Sequence, residues 1–369
     1  MNKKHLLVSI LMMGTALLFS CSSSKSTVAQ PEELTGIIDA DNANIQYFGR
    51  FNHSNTKRVV FDWSGVYIRA SFQGTSCAIR LEDSSNLYAV TIDDGLPVGL
   101  TTDTSDVYTV ATELADTVHT IQIDKRTEAF VGKAEFLGFV LDKGKTLVEP
   151  EPVPDRRIEF IGNSITCGYG VEAPGATSSF SPETENATLS YAALVGRSLN
   201  ADYRMIAYSG RGVVRNYGDA NQTSSEPMPA LYDRTCCADA TPAWDFTSWV
   251  PQVVVINLGT NDFSTQPHPD KDVFQQAYTQ LITRVQAQYA NVTIFCICGP
   301  MIGAPCSTYI EETVGQCQQN NANNKIYYIP VKASLMTSTD WGADWHPNQQ
   351  GQQKIADMIL PVIEEAMGW

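Results

Sequence analysis

The sequence predicts two domains in series: a β-sandwich of jelly-roll type over residues 36–148, then an α/β domain over residues 155–369 whose five parallel strands carry helices on both faces. Three observations lead there. Residues 36–148 alternate apolar and polar side chains with period two and show no convincing helix, as short strands with one buried face do. The stretch Val148-Glu149-Pro150-Glu151-Pro152-Val153-Pro154 can neither form a helix nor pair inside a central strand, so it marks a boundary. Beyond it, short apolar runs alternate with helical patterns, as in a parallel sheet. A length of 369 residues also favours two cores over one.

Residues 1–20 read as an export signal, with Lys3 and Lys4 as its positive end and Leu6 to Phe19 as its apolar core. Leu18-Phe19-Ser20-Cys21 resembles a bacterial lipobox, which implies that Cys21 is lipidated and that residues 21–35 form a polar tether. An ordinary signal peptide with a chance cysteine is the alternative. The expectation is an exported lipoprotein of the bacterial cell envelope, periplasmic or outward-facing, held to the membrane through Cys21.

In the sandwich, Val66, Ile68, Ala70 and Phe72 alternate, as do Cys77, Ile79 and Leu81. Leu87 to Ile92 runs into Asp93-Asp94-Gly95, a turn of the kind that closes hairpins, and Ile121 to Asp124 and Phe136 to Leu141 add further strands. In the second domain, strands are expected over residues 158–161, 202–208, 253–258, 292–297 and 326–331. Helices are expected over 189–199, 273–289 and 348–367; in the second of these, Phe274, Ala277, Tyr278, Leu281 and Val285 share a face. Open sheets of this type bind ligands at the carboxyl ends of their strands, which directs attention to the loops that follow them.

Composition narrows the function. With 43% hydrophobic and 18% charged residues the chain has no signature of disorder. A net charge of −15 argues against a nucleic-acid partner, because clustered Lys and Arg are lacking. A neutral or sugar-like substrate fits better. Besides Cys21 there are eight cysteines; export permits disulfides, but the even count selects no pairing. Cys296 and Cys298 sit in an apolar run as core residues would, and adjacent Cys236 and Cys237 lack a second pair at zinc-ligand spacing.

Three loops carry chemistry. Gly162-Asn163-Ser164-Ile165-Thr166 follows a strand and leaves a serine at the mouth of the sheet, although a helix-capping serine would read the same way. It is not a Gly-x-Ser-x-Gly elbow, since Thr166 replaces the second glycine. Gly259-Thr260-Asn261-Asp262 ends another strand; Asn261 there can donate to an oxyanion, or the pair can simply bond the turn. Asp344-Trp345-His346-Pro347-Asn348 precedes the last helix. Of five histidines, His5 lies in the signal, His53 and His119 in the sandwich and His268 in a proline-flanked loop, which leaves His346 as the candidate base.

Together these loops resemble the blocks of the SGNH hydrolase superfamily, the GDSL-like lipases and acylesterases, in order and spacing. That resemblance implies a flavodoxin-like three-layer hydrolase domain with Ser164 as nucleophile, His346 as base and an oxyanion hole formed by Asn261 and by Gly210 of Tyr208-Ser209-Gly210-Arg211-Gly212. One departure stands out: the superfamily commonly places its aspartate three residues before the histidine, where this chain has Ala343. Asp344, two before, is then the candidate third member of the triad; the alternative is a backbone carbonyl on the imidazole Nδ1–H, leaving a Ser-His dyad.

A β-sandwich followed by Gly-Asn-Ser-Ile-Thr-Cys-Gly-Tyr-Gly, Tyr-Ser-Gly-Arg-Gly, Gly-Thr-Asn-Asp and Asp-Trp-His-Pro-Asn is similar to carbohydrate esterase family 2 over nearly the whole mature chain. The family resemblance implies removal of O-acetyl groups from xylan, mannan or glucan chains and oligosaccharides, a jelly-roll domain packed on the catalytic one, and no metal or other cofactor. Trp345 is either a sugar platform or plain packing, and Arg211 either a hydroxyl ligand or a surface ion-pair partner. Trp244, Trp249, Tyr169 and Tyr217 are expected in or near the site loops. Competing readings are a general lipase or aryl-esterase with an apolar acyl pocket, a glycan-binding lipoprotein without activity, and a sandwich that binds sugar on its own.

Overall fold

The computed structural model describes residues 34–320 and 324–369, so the export signal and Cys21 lie outside the described residues. Eleven strands occupy its first part: β1 (Leu34–Asp39), β2 (Ile45–Phe48), β3 (Val59–Phe61), β4 (Tyr67–Gly74), β5 (Cys77–Glu82), β6 (Leu87–Ile92), β7 (Val98–Thr101), β8 (Val107–Ala111), β9 (Thr117–Lys125), β10 (Ala134–Asp142) and β11 (Leu147–Val148). They form two antiparallel sheets, one in the order β1-β10-β5-β8 with β3 also on β10, the other β11-β4-β9-β6-β7 with β2 on β4. Strands β3 to β10 therefore interleave as β3-β10-β5-β8 over β4-β9-β6-β7. The outer members of the chain pair with each other, β3 with β10 and β4 with β9, which is a ribbon rolled up into a jelly roll.

The alternation in β4 buries Ile68, Ala70 and Phe72 between the sheets, as expected. The opposite face of β4 is covered too: Tyr67 stacks on Phe48 with centroids 4.3 Å apart and meets Tyr203 at 5.5 Å. Tyr203 belongs to the second part of the chain, so this face of the sandwich is internal.

That second part holds β12 (Arg156–Gly162), β13 (Ala201–Ala207), β14 (Val253–Asn257), β15 (Thr293–Ile297) and β16 (Ile326–Ile329), with helices α1 (Ser164–Cys167), α2 (Tyr191–Ser198), α3 (Met228–Leu231), α4 (Lys271–Gln288), α5 (Cys306–Asn320) and α6 (Gln349–Met367). The strands are all parallel in the order β13-β12-β14-β15-β16. The second strand lies outside the first and the rest follow on the other side, the flavodoxin-like winding. Successive β14 residues point to opposite faces: Val253 and Val255 pack with α2 and α6, Val254 and Ile256 with α4 and α5. Helix α5 is absent from the elements the sequence predicts. Its buried stripe is Cys306, Ile310, Thr313, Val314 and Cys317, too weakly apolar for periodicity to reveal it.

Glu33 to Trp369 forms one compact unit. The Arg50 guanidinium, fully buried, bonds Glu159 at 3.1 Å. Trp63 Nε1 donates to the Thr235 carbonyl at 2.9 Å, and the Asp62 carboxylate accepts the N–H groups of Cys237 and Ala238. A buried ion pair is costly to break by losing one partner, so the sandwich is bound to the hydrolase domain as a core element.

Candidate active site

Order reversal around β12 puts the ends of β13, β12 and β14 side by side, and each ends in one of the loops singled out above. Strand β12 passes through Gly162, whose place a Cβ could not share with the Thr166 side chain, directly into α1. Asn163 caps that helix by accepting the Ile165 N–H at 3.1 Å. Ser164 is thus freed from the capping role: its Oγ lies 2.8 Å from His346 Nε2.

His346 stands just before α6, which is tied to α1 and α2 by buried Gln352. The Gln352 Nε2 donates to the Ile165 carbonyl at 2.9 Å and its Oε1 accepts the Tyr191 N–H at 2.9 Å. Burial pushes the His346 imidazole down to about 4, against the opposing pull of nearby backbone carbonyls and the Asp344 charge. The ring of Tyr169 packs on it with centroids 4.2 Å apart.

The expected contact between Asp344 and the imidazole is not made. Nδ1 of His346 faces the Ala343 carbonyl at 3.1 Å. Asp344 and Trp345 are both left-handed, at φ 50° and 60°, and this turn swings the Asp344 carboxylate outward, where it accepts the Tyr169 hydroxyl at 2.9 Å and the Phe180 N–H at 3.1 Å. The turn is braced by the Asp344 and Trp345 N–H groups, which donate to the carbonyls of Ser178 and Ala176. A carbonyl can only accept, so Nδ1 carries the proton and the Nε2 lone pair faces Ser164.

Gly210, after β13, has φ +76°, and a Cβ there would meet only Tyr217 at an ordinary 3.8 Å, so backbone conformation and not crowding calls for glycine. Among the described residues its N–H and that of Ser164 have no acceptor within the protein. Asn261, after β14, donates one Nδ2 hydrogen to the Arg211 carbonyl at 2.8 Å, which leaves the other for the cleft. Its neighbour Asp262, which sequence reasoning left as a turn residue, is buried and accepts the N–H groups of Val213, Val214 and Arg215 at 2.8 to 2.9 Å. Burial pushes its carboxyl up to about 6. Asp262 thereby ties the Asn261 loop to the Gly210 loop.

Ser164, His346, Gly210 and Asn261 open into one cleft of about 590 Å³, with Tyr169, Tyr217, Phe263 and Ile302 on its walls. Trp345 stands 59% exposed at 6.4 Å from the Trp341 ring, outside the lining of that cleft, so it is not packing. Trp244 and Trp249 are not at the site: they enclose Arg204 at the seam, 5.5 and 4.1 Å from its guanidinium. Arg211 neither faces the cleft nor pairs with an acid; its Nη1 donates to the Glu226 carbonyl at 2.7 Å.

Residues 47–151 match the carbohydrate esterase 2 N-terminal family, and residues 160–354 match the GDSL-like lipase/acylhydrolase family. A solved family two carbohydrate esterase from Clostridium thermocellum, in complex with cellohexaose, shares 36% identity and a TM-score of 0.82, covering 88% of this chain and 99% of that one. The chain belongs to carbohydrate esterase family 2. Among curated proteins, this family 2 member is 39% identical over 339 residues to the cellulase/esterase CelE of Acetivibrio thermocellus, spanning 90% of this chain but 40% of that protein. It is 26% identical to an acetylxylan esterase / glucomannan deacetylase of Cellvibrio japonicus, over 99% of both chains. The stretch matched to the GDSL-like family contains Ser164, Gly210, Asn261 and His346, all four residues gathered at the cleft.

Proposed function

We propose that this family 2 esterase removes O-acetyl groups from xylan- or glucomannan-type polysaccharides and their oligosaccharides. The observation that carries the reading is the 2.8 Å contact between Ser164 Oγ and His346 Nε2, opening into a cleft shared with Gly210 and Asn261. The names of its relatives support the choice of substrate.

In the proposed reaction, His346 Nε2 takes the Ser164 proton as Oγ attacks the acetyl carbonyl. The negative oxygen that forms is held by the Ser164 and Gly210 N–H groups and the free Asn261 Nδ2 hydrogen. Collapse expels the sugar oxygen, which takes the proton back from His346 and leaves an acetyl-serine. Water, deprotonated by the same nitrogen, then attacks that ester, releasing acetate and restoring Ser164. The Ala343 carbonyl keeps the ring in the required tautomer and faces the imidazolium formed in each step.

The test compares acetate release from acetylated xylan, acetylated glucomannan and 4-nitrophenyl acetate by the soluble mature protein and its Ser164→Ala variant. Sugar-acetate turnover that disappears in the variant is expected. Turnover of the 4-nitrophenyl ester alone would favour a general esterase, and no Ser164-dependent turnover would sink the reading. Export and lipidation at Cys21 remain part of the proposal on the strength of residues 1–30; loss of membrane association in Cys21→Ser is the expected outcome.

A further inference from the structure

We propose that Glu128, contributed by the β-sandwich, is a positioning residue of the oxyanion hole. The inference rests on the esterase reading above. Glu128 lies in the loop between β9 and β10 and is fully buried. Its two carboxylate oxygens take both donors of Ser209: Oε2 accepts the Ser209 N–H at 2.6 Å, and Oε1 accepts the Ser209 hydroxyl. Ser209 immediately precedes Gly210, and both line the cleft. Clamping both donors of residue 209 fixes the main chain where it turns into the left-handed Gly210, and so fixes the direction in which the Gly210 N–H points.

Glu128 is itself held from two sides. Its own N–H donates to Glu185 Oε2 at 3.0 Å, and the buried Lys125 ammonium donates to the Thr127 and Glu128 carbonyls at 2.6 and 3.3 Å. Donation by both Ser209 groups favours the carboxylate form of Glu128. Burial raises both carboxyls above their usual range; the Glu128 charge pushes Glu185 up further, while Glu185, the Ser209 donors and the Lys125 ammonium pull Glu128 down against its burial. The seam contacts described above, Arg50 to Glu159, Trp63 to Thr235 and Asp62 to Cys237, involve no residue of the cleft lining. Glu128 is the seam residue whose loss should be felt in the chemical step.

The experiment uses the mature chain with Glu128→Gln, which keeps shape but cannot accept at both atoms, and Ser209→Ala, which removes only the hydroxyl at a half-buried position. Steady-state turnover of 4-nitrophenyl acetate is read with the thermal midpoint and with the affinity for a small alkylboronic acid, which adds to Ser164 and presents an oxyanion. In Glu128→Gln, kcat is expected to fall about tenfold to a hundredfold, less than on deleting an oxyanion donor outright, with KM within about twofold. Boronate affinity should weaken by a similar factor, and Ser209→Ala should shift both in the same direction by less. If a folded Glu128→Gln variant keeps wild-type kcat and boronate affinity, the inference falls. It falls equally if Glu128→Gln does not fold and Ser209→Ala matches wild type. Absence of Ser164-dependent turnover in the wild type would instead overturn the esterase reading, and this inference with it.

Discussion

His346 Nδ1 and the carbonyl oxygen of Ala343 stand 3.1 Å apart within one turn of the same loop, and no carboxylate comes between them. A carbonyl selects the tautomer as well as an aspartate does, but it brings no full negative charge to the imidazolium. Asp344→Asn is therefore expected to lower kcat less than about tenfold, against about 10⁴-fold where a carboxylate orients the base directly. Asparagine also tolerates the left-handed backbone. A loss of three orders of magnitude in acetate release by a folded Asp344→Asn variant would show that the carboxylate acts on the ring.

Burial sets the pH profile. The reaction needs neutral His346, and its proton is held only below about pH 4 in the folded protein. The rate, followed as acetate release from acetylated oligosaccharide, should rise through an apparent pKa near that value and be flat across the ordinary histidine range. A half-maximal rate at pH 6.5 or above would contradict this environment. The same depression links to stability: the unfolded chain takes up a proton below about pH 6.5, so the contribution of neutral His346 is complete above that pH and is lost as pH falls toward the folded value.

Two adjacent residues should separate catalysis from stability. Asn261→Ala removes an oxyanion donor and is expected to cut kcat about 10²- to 10³-fold, with only the smaller stability loss of its one bond to the Arg211 carbonyl. Asp262→Ala strands three N–H groups, two of them buried, and should cost about 1–3 kcal/mol or more of stability, read as a lower denaturant midpoint. Equal kinetic and stability losses in both variants would mean that the two loops act as one structural unit.

Trp345, next to the base in sequence, offers a large exposed ring outside the lining of the cleft. Trp345→Ala is expected to leave 4-nitrophenyl acetate turnover within about twofold while raising KM for acetylated oligosaccharides several-fold, about the 1 kcal/mol typical of an aromatic contact. Equal effects on both substrates would remove it from the sugar-binding surface.

The blocks containing Ser164, Gly210 and Asn261 follow the ends of β12, β13 and β14, where a parallel sheet gathers its loops at one end, and that of His346 stands just before the last helix, so all four matched the family's order along the chain. Helix α5 escaped because its buried face is built from cysteine and threonine as much as from Ile310 and Val314. For Trp244 and Trp249 the sequence does not separate sugar contacts from core, because position in a loop after β13 does not say which side of the seam an aromatic ring will join.

Period and punctuation thus determined the β-sandwich and the parallel sheet, since these depend on neighbours a few positions apart, and the family resemblance of four short blocks singled out Ser164, Gly210, Asn261 and His346. The partner of His346 Nδ1 depended on two consecutive left-handed dihedrals that no residue type at positions 344 and 345 demands. The Glu128 clamp on Ser209 joins residues 81 positions apart across a seam between two cores. Only tertiary structure could decide these, because each follows from how finished elements dock, and docking is fixed by the summed burial of both surfaces and not by any local pattern.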